Sequence, residues 1–144
     1  MAEMRLRSLE KRLHQDPDFQ RDYEKAVQKY VSEGYASEIN DDTSMEGVGF
    51  YLPHHGVYKK SEGKKKLRVV FNSGAIYRGR CLNDTLSTGP PPLNQLPPVI
   101  IQFREGEAGF TADIEAMFSR IRMRTEDARY HRFLWRDIKK TLER

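Results

Sequence analysis

The sequence predicts an α+β fold in which helices come first and short strands follow. Three observations carry this. Apolar residues recur at helical spacing up to Gly34, the period then shortens to two, and 67–71 (LRVVF) is dense in β-branched and aromatic residues. With 144 residues there is room for one domain or for a piece of a larger one.

The first element is helical because Leu6, Leu9 and Leu13 form one stripe. Asp16-Pro17 then reads as an N-cap followed by proline in the first turn of a second helix. Phe19, Tyr23, Ala26/Val27 and Tyr30 keep the helical spacing, and Gly34 is placed to stop it. Residues 4–33 are thus a helix, a break and a helix, and both stripes are core faces. A polar connection, 40–49, comes next. Short β-like runs at 48–52 and 56–58 are separated by Pro53-His54-His55, where the histidines read as structural turn residues. The segment KKSEGKKK is a basic hairpin tip with Gly63 for the turn, and 67–71 is the strand beyond it. Residues 72–79 are turn-rich.

Thr88-Gly89-Pro90-Pro91-Pro92 is a stiff connector. Leu93, Leu96, Ile100 and Phe103 predict a short helix, with Pro97-Pro98 in its first turn or breaking it. Residues 110–114 read as a strand, 116–123 as a turn-helix or extended segment, and 131–136 (HRFLWR) as a further strand.

Composition excludes several classes. Charged residues make up 32%, too many for a membrane protein without a long apolar run, and no run approaches the ~20 residues a membrane helix needs. The N-terminal MAEMRLRSLEKRLH lacks the apolar core of a signal peptide, which predicts an intracellular protein. The single cysteine, Cys81, rules out a disulfide scaffold and a thiolate zinc finger. The net charge of +4 is unevenly spread. Lys59, Lys60, Lys64, Lys65, Lys66, Arg68, Arg78 and Arg80 face only Glu62 within 59–80, and 120–144 is basic as well. Between the two blocks, 81–119 is acidic. That pattern suits a polyanion site with a carboxylate at its centre, although lysine-rich loops are also commonly plain solvated surface.

The carboxylate is Asp113, in GFTADIEAMF. An acid at a strand tip can hold a hard divalent cation while substrate phosphates complete its shell. The turn amides near Ala116 and Met117 can receive a phosphate. Taken alone, Asp113 reads first as an exposed turn acid.

Six stretches in order resemble the N-terminal part of a reverse transcriptase, most closely the BEL/Pao class of LTR retrotransposons. RLRSLEKRL with DPDFQRDYEKAVQKYVSEGY is similar to the leader helices, and YLPHHGVYK to the first fingers strand and turn. KKLRVVFNSGA resembles the second fingers motif, CLNDTLSTGP the loop after it, GFTADIEAMFSRI polymerase motif A, and HRFLWRD the strand that follows. The resemblance spans about residues 4–137. It implies N-terminal helices over 1–36, fingers strands over 37–82, the start of the palm over 83–119, and a return to the fingers over 120–144.

The resemblance also implies roles. Asp113 matches the catalytic aspartate that binds Mg²⁺, and the Ile114 carbonyl joins it as a metal ligand. Ala116 and Met117 offer backbone N–H groups to a dNTP triphosphate. Phe118 matches the aromatic gate that crowds a ribose 2′-OH; the other reading of Phe118 is a core aromatic. Arg68 matches the fingers arginine that stacks near the incoming base and touches its phosphates. Lys66 is assigned to the nucleotide, while Lys64, Lys65, Arg78 and Arg80 are assigned to the RNA template and DNA primer; the order of roles within the three lysines stays open. Asn72 stands where the family generally has Asp. The family's later Tyr-x-Asp-Asp motif does not occur in these 144 residues, so the polypeptide is expected to be inactive alone and to need the remainder of a polymerase. Two other readings are a non-catalytic nucleic-acid-binding module and the functionless product of a decayed element.

Overall fold

The computed structural model describes residues 1–39, 49–61 and 63–136. The acidic residues Asp41, Asp42 and Glu46, the start of the β-like run at Val48, and the basic residues beyond Arg136 lie outside the described residues. Two compact units are present. One holds Met1–Thr85 and the chain from Arg122 onward, the other Leu86–Ile121.

In the first unit the helices form as their stripes dictate. α1 spans Ala2–Gln15 and buries Leu6, Leu9 and Leu13. α2 spans Pro17–Ser32 and buries Phe19, Tyr23 and Val27. Asp16 separates them: its extended backbone ends α1, and its Oδ1 accepts the Phe19 N–H at 2.9 Å. That bond satisfies one of the N–H groups a helix start leaves unpaired. Replacing Asp16 with alanine is expected to cost about 1 kcal/mol, read as a lower urea midpoint at unchanged m. Gly34, at φ +72°, closes α2 in a Schellman turn, with Gly34 N bonded to Val31 O at 3.0 Å and Tyr35 N to Tyr30 O at 2.8 Å.

Among the described residues the sheet is one antiparallel hairpin. β1 (His54–Ser61) pairs with β2 (Lys64–Phe71) in a register running from His54↔Phe71 to Ser61↔Lys64. Gly63, at φ +74°, supplies the left-handed turn residue at its tip. His54 and His55 therefore open a strand instead of forming a turn. The packed face carries His54, Gly56, Tyr58, Leu67, Val69 and Phe71, and it lies on the apolar stripes of the helices. At Gly56 the aromatic rings come closest: a β-carbon there would stand 2.9 Å from Phe19 Cε2 and Cζ and from Tyr23 Cδ2. Tyr23 and Phe19 are wholly buried, with ring centroids 5.6 Å apart.

The chain re-enters this unit through a single helical turn, α3 (Thr125–Ala128). Arg129 O then accepts from Phe50 N at 3.1 Å and Arg132 O from Leu52 N at 2.7 Å, around one parallel bridge between Tyr51 and Arg132. Residues 131–136 are not the strand that their alternation suggests. Apart from that bridge, their carbonyls go elsewhere, Leu134 O to a histidine ring, and Phe133, Leu134 and Trp135 dock on the core through side chains. Trp135 stacks on Tyr23 at 5.6 Å, and Arg136 pairs with Glu10 of α1 through two bonds of 2.9 Å.

The second unit, Leu86–Ile121, contains α4 (Leu96–Phe103), which has Pro97 and Pro98 in its first turn, where their missing N–H groups cost nothing. The Phe103 ring rests on Gly109, leaving no room there for a β-carbon. Residues 110–114 form no strand; among the described residues they have no ladder partner, and Phe110 and Ile114 are exposed. A strand needs a neighbour for its N–H and C=O groups, and among the described residues this run has none. The segment after it closes into one turn, α5 (Met117–Arg120). Among the described residues, no helix is long and apolar enough to cross a membrane.

Candidate functional site

Strand alternation distributes the hairpin cations. Residues directly opposite each other share a face, so Lys59 and Lys66 stand together, as do Val57 and Arg68, and His55 and Val70. All six are exposed. Lys66 and Arg68, two residues apart, thus project from the open face of the hairpin, and among the described residues no carboxylate pairs with either.

Lys65 goes the other way. Its ammonium lies 3.6 Å from the centroid of the Tyr58 ring, a cation–π contact. Tyr58 in turn donates to Asp22 Oδ2 at 3.0 Å. Partial burial, then the hydrogen bond and charge of Asp22, hold the Tyr58 hydroxyl above its ordinary pKa. The lysines are therefore not equivalent: Lys65 is bound to the packed side through Tyr58, whereas Lys66 projects from the open face. Lys64 pairs in register with Ser61, and its side chain is outside the described residues.

Arg78 and Arg80 sit on a tight turn of their own. Tyr77 and Arg80 exchange backbone bonds of 2.8 and 3.2 Å, while Arg78 (φ +50°) and Gly79 (φ +78°) form its two central positions. That is the primed turn that suits a two-residue hairpin. An arginine in the left-handed region costs about 1–2 kcal/mol relative to glycine. Its guanidinium stands 5.4 Å from the Tyr77 ring, and both arginines are exposed. Just before it, Asn72 Oδ1 accepts the Gly74 N–H at 3.1 Å, an Asx turn that a carboxylate would make equally well. Asn72 thus retains the local geometry without the charge. Asp84 Oδ2 accepts the Cys81 N–H at 3.0 Å, and its bonds to Cys81 pull the carboxyl below the usual range.

In the second unit, Asp113 lies within the strandless run 110–114 and is exposed. Ile114 follows, and Ala116 adopts a left-handed conformation (φ 53°, ψ 36°) that turns the chain into α5. Ala116 O accepts from Ser119 N at 2.8 Å, and Arg120 Nε donates to Glu115 O at 2.7 Å, fixing the turn. Met117 opens the helical turn, and Phe118 is 84% exposed, so it is not a core aromatic of this unit.

Mg²⁺ takes hard oxygen ligands and usually keeps several waters, binding through one or two carboxylates and substrate phosphates. The Asp113 carboxylate and Ile114 carbonyl are hard oxygens of the kind such a shell takes. Among the described residues, no group of three or more His, Cys, Asp or Glu side chains could hold a metal ion.

Sequence reasoning missed the different fates of Lys65 and Lys66. The alternation in KKKLRVV carries that signal once β2 is taken to begin at Lys64 rather than at Leu67. It also missed His54, whose burial depends on residues far along the chain. Compared with protein-family models, with curated proteins and with solved structures, the chain finds no match.

Proposed function

We propose that these residues carry the nucleotide-facing fingers hairpin and the first palm aspartate of an RNA-directed DNA polymerase of the BEL/Pao retroelement type. The observation that supports it most is the placement of Lys66 and Arg68 on one exposed hairpin face, with no carboxylate paired to either among the described residues. A planar, permanently charged guanidinium beside a lysine point charge suits a triphosphate under a base. The exposed Phe118, five residues after Asp113, supports the same reading, because a flat ring beneath a sugar leaves no room for a 2′-OH. Asp113 and the Ile114 carbonyl are assigned as Mg²⁺ ligands, and the amides of Ala116 and Met117 as triphosphate donors. When bound, Mg²⁺ neutralises phosphate charge and polarises the reacting phosphoryl group. Arg78 and Arg80 are assigned to the phosphate backbone of the RNA–DNA hybrid; Lys64 and Lys65 share that assignment, with Lys65 reaching it only by leaving Tyr58. An intracellular setting, and completion of the site by further polymerase residues, belong to the same proposal.

The test is binding, since one carboxylate does not make a polymerase. Titrating the 144-residue polypeptide with Mg²⁺-dTTP and, separately, with a labelled RNA–DNA hybrid distinguishes the readings. Arg68→Ala is expected to weaken triphosphate binding about tenfold, the loss of one charge-assisted contact. Lys65→Ala should leave it within about twofold. Hybrid binding without any triphosphate affinity, falling steeply with salt, would replace the polymerase reading with that of a non-catalytic nucleic-acid-binding module.

A further inference from the structure

His54 is buried at 7% exposure and has both ring nitrogens engaged. Nε2 lies 2.7 Å from Leu134 O, and Nδ1 lies 2.6 Å from Tyr23 Oη. A carbonyl can only accept, so Nε2 carries the hydrogen; Nδ1 is then bare and accepts from the Tyr23 hydroxyl. One neutral imidazole thereby joins α2, β1 and the returning segment 132–136.

We propose that this contact is an acid-operated latch: protonating His54 at Nδ1 releases residues 132–136 from the core while the helices and hairpin stay folded. A proton on Nδ1 meets the Tyr23 hydroxyl hydrogen head-on. The Oη atom then accepts from Nδ1, so the hydroxyl hydrogen must swing away and lose its acceptor, and Tyr23 is wholly buried, so water does not replace it. The new charge is enclosed by Tyr23, Phe71, Phe133 and Trp135, with centroids 5.5–6.3 Å from the imidazole. None of these rings can balance a cation as a carboxylate would. The titratable groups around the site are Tyr23 from α2, with Tyr30 next to it, and His55 on the same strand. β2 presents Phe71 and the segment presents Phe133 and Trp135; the Glu10–Arg136 pair ties the segment's end to α1.

The latch opens locally because the buried core is contributed by the helices and the hairpin. Its buried cluster is Leu6, Leu9, Leu13, Phe19, Tyr23, Val27, Leu67 and Val69, while Phe133, Leu134 and Trp135 are only partly buried against it. Burial, only partly opposed by the Leu134 carbonyl, lowers the His54 pKa below its ordinary value, and the nearby His55 lowers it further. The open state therefore binds more protons than the closed one. Closure is fully favoured above about pH 6.5 and is lost as pH falls towards the folded pKa, by up to about tenfold per unit.

The sequence contains one tryptophan, Trp135, which lies in the segment itself. Acrylamide quenching of its fluorescence, followed from about pH 7.5 to about pH 5 with far-UV circular dichroism in parallel, reads the latch above the ordinary carboxylate range. Quenching should rise below pH 6.5 while the helical signal holds. In His54→Gln it should stay flat, whereas His55→Gln should keep the rise and move it slightly to higher pH, since His55 helps to hold the His54 pKa down. In Tyr23→Phe, where the donor to Nδ1 is gone, the rise should move to higher pH, and this variant decides the matter if His54→Gln does not fold. Flat quenching in the wild type, an unchanged rise in His54→Gln, or loss of helix together with tryptophan exposure would each overturn the latch.

Discussion

Phe19→Ala is expected to destabilise the protein by about 3–5 kcal/mol, the usual cost of emptying a fully buried phenylalanine site. The ring is wholly buried, stands 5.6 Å from Tyr23 and 5.9 Å from Tyr58, and has the Arg12 guanidinium 4.1 Å above it. Removing it takes away the transferred area, the edge contacts and the support under Gly56 together. Equilibrium urea unfolding followed by circular dichroism measures the loss. Since small domains have about 5–15 kcal/mol of stability, much of the variant should be unfolded in mild denaturant. A loss under about 1 kcal/mol would mean that the ring is not the keystone of the helix–hairpin contact.

Gly56→Ala presents the opposite fault at the same place. In an unobstructed strand the change would stabilise by about 0.4–1 kcal/mol, through a less flexible unfolded chain. Here the new methyl would stand 2.9 Å from carbons of two buried rings, and overpacking of that kind costs about 1–3 kcal/mol. The steric effect wins, so net destabilisation is expected. The two substitutions should also couple. In a Phe19→Ala background, two of the three closest atoms are gone, and Gly56→Ala should cost about 1 kcal/mol less than it does alone. Additive behaviour in the double-mutant cycle would show that the glycine is needed for another reason.

Local chemistry made much of this unit legible in the sequence. The leucine stripe of α1, the Asp16-Pro17 junction, the aromatic stripe of α2 and Gly34 each state their role within a turn or two of chain, and the helices follow them. The hairpin is equally local, because Gly63 and the β-branched run after it act at short range. What alternation cannot reveal is whether a partner exists. Residues 110–114 and 131–136 carry strand-like patterns, yet among the described residues one lacks a neighbouring strand and the other gives carbonyls to Leu52 and His54. Gly56 and His54 were illegible for a related reason. Their roles are set by rings and carbonyls brought to them from other elements, which no window of sequence around them contains. At the candidate site, residue types pointed to polyanion chemistry, but only the register separated Lys65 from Lys66 and Arg68.

The bond from His54 to a carbonyl 80 residues later sets an order of events during synthesis. A ribosome adds about 5–20 residues per second, so on the order of 4–16 s pass between the emergence of His54 and that of Leu134. Throughout that interval Tyr23, His54 and Phe71 have no Trp135 or Phe133 to cover them, and the nascent chain displays an aromatic surface with an unpaired imidazole N–H. The intervening unit, Leu86–Ile121, is made entirely within this time. Its length adds little to the final closure, since doubling a loop costs only about 0.6 kcal/mol. The detour is therefore cheap in equilibrium stability and expensive in exposure time, which makes the young chain, more than the finished one, the form most in need of a chaperone.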